Sequence, residues 1–302
     1  MGVLGQFLYM LAFLALGVGV RRVGVLEERH INWLTAGAFY VALPALIVSS
    51  TYDQSLGELV SPALVVGFWA VVGATVLAAW LLHRRTDDDG RRSVAIIQSY
   101  HGNLGFLGVP LVAATLGGEA TAVASVVLGI GVLTQTPITV LTLVRTNGVA
   151  ASVAGELRSV ATNPILLSLA AGVVASLSGV GIPSAVDGTL TTVADLALPL
   201  ALVCIGGTLD TDLPESRLRD AGSVVALKIV WMPALGYVVY SALGLGPTAL
   251  AASVLMLGTP TAVATYVYAT ELGGDVAAAS MNVFASTLVS LGTLSLLAWL
   301  LG

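Results

Sequence analysis

The sequence predicts an all-α membrane protein: ten transmembrane helices in two inverted repeats of five, with the fourth and ninth helices broken near mid-membrane. Three observations predict it. Of 302 residues, 57% are hydrophobic and 10% charged, with a mean hydropathy of +0.95, so the chain needs lipid as its solvent. The apolar residues fall into ten runs of about 20, each long enough for a hydrocarbon core of roughly 30 Å. The arginines occupy alternate connections, which sets opposite orientations on the two halves.

In chain order the runs are 3–20, 31–50, 61–82, 94–115, 120–144, 163–180, 189–208, 222–243, 247–270 and 277–301. The first has no basic segment before it and is followed by Arg21 and Arg22, so it reads as a spanning helix and not a cleaved leader. Arg21, Arg22 and Arg29 follow the first run; Arg84, Arg85, Arg91 and Arg92 the third; Arg145 and Arg158 the fifth; Arg217 and Arg219 the seventh. The intervening connections contain no Lys or Arg, so the basic loops are expected in the cytoplasm and both termini outside, in a plasma membrane. The connections are too short for a soluble domain, giving one membrane domain over 1–302, with repeats at 1–145 and 160–302. Ala42-Leu43-Pro44 in the second run recurs as Ala197-Leu198-Pro199 in the seventh, at the equivalent span.

Two runs contain helix breakers at matching depths. The fourth reads Gly102-Asn103-Leu104-Gly105-Phe106-Leu107-Gly108-Val109-Pro110, and the ninth Gly258-Thr259-Pro260-Thr261-Ala262. Glycine costs about 1 kcal/mol and proline about 3 inside a helix, so neither run should persist as a plain lipid-facing helix. At 1.5 Å per residue Asn103 lies about 15 Å into its span, near the midplane. Two unwound stretches crossing there would bring four half-helix ends together, whose free N–H donors suit a carboxylate. Gly102, Asn103 and Gly105 from one break, and Thr259, Pro260 and Thr261 from the other, are the candidate substrate-binding residues. Asn103 supplies both an amide donor and a carbonyl acceptor.

Here the residues carry a resemblance. Asn103 with Gly108-Val109-Pro110-Leu111 resembles the first crossover of the auxin efflux carrier family, which includes plant PIN-type transporters. Ile31-Asn32 leading to Pro44, Asn163-Pro164, Asp195, Lys228 with Pro233, and Pro260 followed by Tyr266 through Glu271 match in order. The resemblance implies scaffold helices 1, 2, 6 and 7 and a moving transport domain of helices 3, 4, 5, 8, 9 and 10. That plan is shared with sodium–proton antiporters and bile-acid symporters. It also implies elevator-type efflux of a small organic anion, auxin-like or a dicarboxylate such as malonate, with Asn103 at the substrate and Pro110 and Pro260 at the crossover. A homodimer through the scaffold helices is expected. The family's long central loop has shrunk here to about Arg145–Ala161.

Other residues keep two readings. His101 is the one histidine at membrane depth, either a hydrogen-bonded core residue or a group that binds substrate or a proton. Lys228, the single lysine, either snorkels to the cytoplasmic surface or serves inside as a charge partner supporting the ninth-span break. Gln135, Asn282, Ser286 and Tyr266 are candidates to line the cavity, and Asp195 reads as a hydrated structural carboxylate. No metal site or cofactor is predicted, and Na⁺ or proton coupling stays open. Dispersed basic residues at net charge −5 argue against nucleic acid, and the absence of an Asp pair or serine–base set at depth argues against an intramembrane enzyme. The rival functions are a sodium-coupled organic anion symporter of the same fold and a membrane sensor or receptor.

Overall fold

Helices account for every regular element that a computed structural model describes over residues 3–54, 61–149, 155, 158, 161–179, 182–209 and 218–302. Among the described residues there is no β-strand, and the one extended pairing is an isolated antiparallel bridge between Gly102 and Thr261. Among the described residues, seven helices are long and apolar enough to cross a membrane: Leu4–Arg22, Arg29–Thr51, Pro62–His83, Gly118–Asn147, Ser184–Thr208, Ala221–Ala242 and Val276–Leu301. Three shorter apolar helices accompany them, Leu104–Leu116, Pro164–Ser178 and Pro247–Leu257.

We number the elements α1 (Val3–Arg22), α2 (Glu28–Gly37), α3 (Leu43–Thr51), α4 (Pro62–His83), α5 (Asp89–Gln98), α6 (Val109–Leu116) and α7 (Gly118–Asn147). There follow α8 (Pro164–Ser178), α9 (Ser184–Ala194), α10 (Ala197–Thr208), α11 (Leu218–Val225), α12 (Met232–Ala242), α13 (Pro247–Leu257), α14 (Ala264–Glu271) and α15 (Val276–Leu301). The predicted fourth run is thus split into α5 and α6, and the ninth into α13 and α14. Arg217 and much of the 145–161 connection lie outside the described residues.

Prolines shape these helices in a regular way. Three π turns, Ala38–Ala42, Leu104–Gly108 and Ala226–Trp231, each end two residues before a proline, Pro44, Pro110 and Pro233. Proline lacks an N–H and its ring collides with the carbonyl four residues back; the wider π turn takes up both defects without ending the helix. Pro110 therefore sits inside a continued helix, and the chain actually unwinds just before it, around residues 99–103. In the other broken segment Pro260 lies within the unwound stretch itself.

Two packed groups emerge. α1 lies against α10, with Gly17 and Gly206 at the contact: an added Cβ on Gly17 would be 2.2 Å from the Val203 carbonyl oxygen, and on Gly206 2.1 Å from that of Leu14. Only glycine permits backbones so close. α3 packs on α8 and α9, closing this group. The second group is built around α7, which packs on α5, α6 and α13, with α12 on α4 and α13 and α11 on α15. The groups meet along α1 with α15 and α3 with α7. At one end of the second group, Asn147 Nδ2 donates to the Leu272 carbonyl at 2.8 Å, and Arg91 pairs with Asp275 at 3.7 Å.

Candidate functional site at the crossing of two broken helices

The unwound stretches of the two broken segments meet edge to edge. Asn103 N donates to the Pro260 carbonyl at 2.7 Å and Ala262 N to the His101 carbonyl at 2.9 Å, which makes the Gly102–Thr261 bridge. Asn103 itself is the centre of an inverse γ-turn, with φ −78 and ψ 63 and Leu104 N bonded to the Gly102 carbonyl at 2.9 Å. Two residues of extended pairing thus replace helical bonds that both segments lose there. The backbone groups are obliged to find such partners because no water competes for them in an apolar bundle.

Side chains close the remaining helix ends. The Gln98 carbonyl accepts from Thr261 Oγ1 at 2.8 Å, the Tyr100 carbonyl from Gln135 Nε2 at 3.1 Å, and the Leu257 carbonyl from Lys228 Nζ at 2.6 Å. Thr261 N donates to Ser286 Oγ at 3.2 Å, and Thr259 Oγ1 turns back onto the Met256 carbonyl at 2.8 Å. Gln98 is the hub. Its Nε2 donates to Thr265 Oγ1 at 2.9 Å and to the Ala279 carbonyl at 3.1 Å, while its Oε1 accepts from Asn282 Nδ2 at 2.8 Å. One fully buried amide therefore fastens α5 to α14 and α15.

Lys228 does not snorkel. Its side chain has 0% exposure, and the ammonium lies on the C-terminal end of α13, where the helix dipole is negative. A π turn at Ala226–Trp231 carries it, and its stem runs beside Gly102: an added Cβ there would be 3.1 Å from Lys228 Cε and 2.8 Å from Thr259 Oγ1. Among the described residues no carboxylate pairs with it. The interior reading of this lysine is the one the geometry supports, because the half-helix carbonyls attract the ammonium more closely than a distant surface does. His101 is also buried, with Nδ1 2.8 Å from Thr139 Oγ1, which in turn lies 3.1 Å from Tyr100 Oη. The Tyr268 ring packs near the imidazole at 6.3 Å between centroids.

Asn103 differs from all of these. It is 6% exposed, yet its side-chain amide makes no hydrogen bond to protein among the described residues. Its backbone pairs with that of Pro260 beside the Gly102–Thr261 bridge, and Thr259 lies against Gly102. Gly105 is partly exposed, and an added Cβ there would lie 3.4 Å from Ile165 Cδ1 and 3.7 Å from Leu128 Cδ1. Gly108 packs on Met256, and Pro110 lies in α6 beyond the crossing. Of the cavity candidates, Gln135, Asn282 and Ser286 reach the crossing, Tyr266 lines a separate cavity, and Asp195 is exposed at the end of α9. Gln98, Thr139 and Thr265 were not among the predicted site residues, although a glutamine deep in an apolar run is itself a signal of a buried polar network. Among the described residues no cluster of His, Cys, Asp or Glu is arranged to hold a metal ion.

Comparison with known proteins supplies the class: this is a membrane transport protein, matched by the family model of that description at residues 6–156 and 146–298. The chain belongs to that family, the auxin efflux carriers. A relative from Methanothermobacter thermautotrophicus, named "Uncharacterized transporter", is 27% identical over 300 residues, covering 98% of this chain and 97% of its own. Another from Rhizobium meliloti, named "Putative malonate transporter", is 29% identical over 281 residues, covering 89% of this chain and 87% of its own.

Proposed function

We propose that this transporter moves a small dicarboxylate of the malonate type outward across the plasma membrane, binding it at the crossing beside Asn103. The observation that carries the proposal is the unengaged Asn103 amide in a site where the neighbouring polar groups have partners. Its NH₂ suits a carboxylate oxygen. Lys228 adds a buried cation with no carboxylate partner among the described residues, so an anionic substrate would balance it. The relative named as a malonate transporter points to the same chemistry.

In this reading the chain crosses the membrane ten times as two inverted repeats, both termini outside. The group of α1, α2, α3, α8, α9 and α10 is the scaffold, through which two copies associate. The remaining helices slide against it as an elevator and carry the crossing with them. The separate packing of the two groups, and their contact along α1–α15 and α3–α7, support that division. The family-model matches divide within 146–156, near the proposed boundary between repeats.

Uptake into proteoliposomes of a panel of radiolabelled mono- and dicarboxylates, with Na⁺ and proton gradients imposed separately, tests the proposal. Saturable malonate flux is expected, with Asn103→Ala raising the half-saturating concentration roughly 10- to 100-fold. Flux of some other solute, unchanged by Asn103→Ala, would overturn the assignment of the site.

A further inference from the structure

A second polar feature lies away from the crossing. A cavity of about 720 Å³ opens between the two packed groups, walled by α1, α2 and α10 on one side and by α14 and α15 on the other. Val263, one residue past the Ala262 that pairs with His101, forms its inner limit; Arg21 and Thr208 stand at the far end, where α1 and α10 stop. The size is within the range of small-molecule sites, roughly 300–1,000 Å³, and far exceeds what one small dicarboxylate needs, so the anion would enter with water.

The lining has a consistent chemistry. Its polar side chains are Arg21, Asn32, Thr208, Tyr266 and Ser280, and no described Asp or Glu lines it. The N-terminus of α15 is not the anion donor, because Asp275 already caps it by accepting from Ala278 N at 3.0 Å. That leaves Arg21 as the one formal charge among the described lining residues. Its Nη1 donates to the Gly207 carbonyl at the end of α10, which fixes the guanidinium at two helix C-termini. One such tie leaves further N–H donors on a planar fork whose geometry matches a carboxylate.

We propose that this cavity is an anion-binding vestibule leading to the crossing, and that Arg21 is its carboxylate-binding residue, favouring dianions over monoanions. The inference rests on the reading of the protein as a carboxylate carrier and adds a residue and a selectivity to it. Arg21 is exposed at the open end of this partly apolar cleft, and a cation fixed there raises the local concentration of a doubly charged anion more than that of a singly charged one. Because its two walls belong to different packed groups, a slide of one against the other would change the vestibule's width, as an access path requires.

Equilibrium binding of radiolabelled malonate and of its monomethyl ester to purified protein in detergent, alongside proteoliposome flux, tests this. Arg21→Gln should weaken malonate binding about tenfold at low salt and the ester about threefold or less. Since Arg21→Gln also removes the Gly207 tie, Thr208→Asp is the second variant. It keeps that tie, adds a negative charge to the cavity, and should weaken malonate similarly, whereas Thr208→Asn should not. Wild-type binding and flux that neither Arg21→Gln nor Thr208→Asp alters would overturn the vestibule and leave the carrier reading intact. Binding that both variants weaken, without any flux, would support the vestibule and overturn the carrier. Protein that neither binds nor moves a carboxylate would overturn both.

Discussion

The two unwound segments that meet at the crossing are built differently. In the ninth, the polar side chains are committed to the fold: Thr259 Oγ1 donates to the Met256 carbonyl, Thr261 Oγ1 donates to the Gln98 carbonyl, and the end of α13 is held by Lys228. In the fourth, Asn103 bonds through its backbone, and its amide makes no hydrogen bond among the described residues. Proline enters in opposite ways too. Pro260 lies in the unwound stretch and offers its carbonyl to Asn103, whereas Pro110 follows a π turn inside a helix. The comparison teaches that depth and breakers alone do not identify a binding group. In the proposed reading, what marks Asn103 is its place at the crossing together with an amide that has no hydrogen bond among the described residues.

Substitutions can break or sharpen that contrast. The largest functional effect is expected from Asn103→Ala: a hydrogen bond to a charged partner contributes about 1.5–3 kcal/mol, so malonate affinity should fall roughly 10- to 100-fold while the melting temperature stays near wild type. A melting temperature that drops with affinity would mean the amide is structural after all. Thr261→Val should show the reverse pattern. It strands the buried Gln98 carbonyl at a cost of about 1–3 kcal/mol, lowering thermal stability in detergent more than affinity.

Gly102→Ala comes next, because its Cβ must displace Thr259 Oγ1 at 2.8 Å and press on the Lys228 stem. Overpacking of this kind costs about 1–3 kcal/mol, and a scintillation-based stability assay should detect it. Pro110→Ala is expected to matter least: it restores an N–H within a helix beyond the crossing, so malonate flux should remain within about threefold of wild type. A large loss there would move the functional part of the fourth segment toward α6.

Much of this arrangement is legible in the sequence, for reasons that differ by residue. Helix breakers at matching depths mark both segments because glycine and proline act locally. Asn103 stands out as an amide among apolar neighbours. The position of the first break is harder to read, since a π turn can absorb a proline, and Pro110 therefore points a few residues too far along the chain. Lys228 is ambiguous in sequence because a flexible four-carbon stem reaches either water or protein; only the packed end of α13 decides between them. Gln98 as a hub, with partners 167 to 184 residues away, depends wholly on tertiary contacts. So does the Arg21 vestibule, where an arginine that marks membrane orientation in the sequence acquires a cavity in three dimensions.

Malonate counterflow tests the central claim most directly. Proteoliposomes preloaded with unlabelled malonate should accumulate external labelled malonate when they contain wild-type protein. Those containing equally well-folded Asn103→Ala should not, since the free amide at the crossing would be gone. Counterflow equal in the two, or carried by wild-type protein for a different class of solute alone, would contradict the claim that this crossing binds a small dicarboxylate through Asn103.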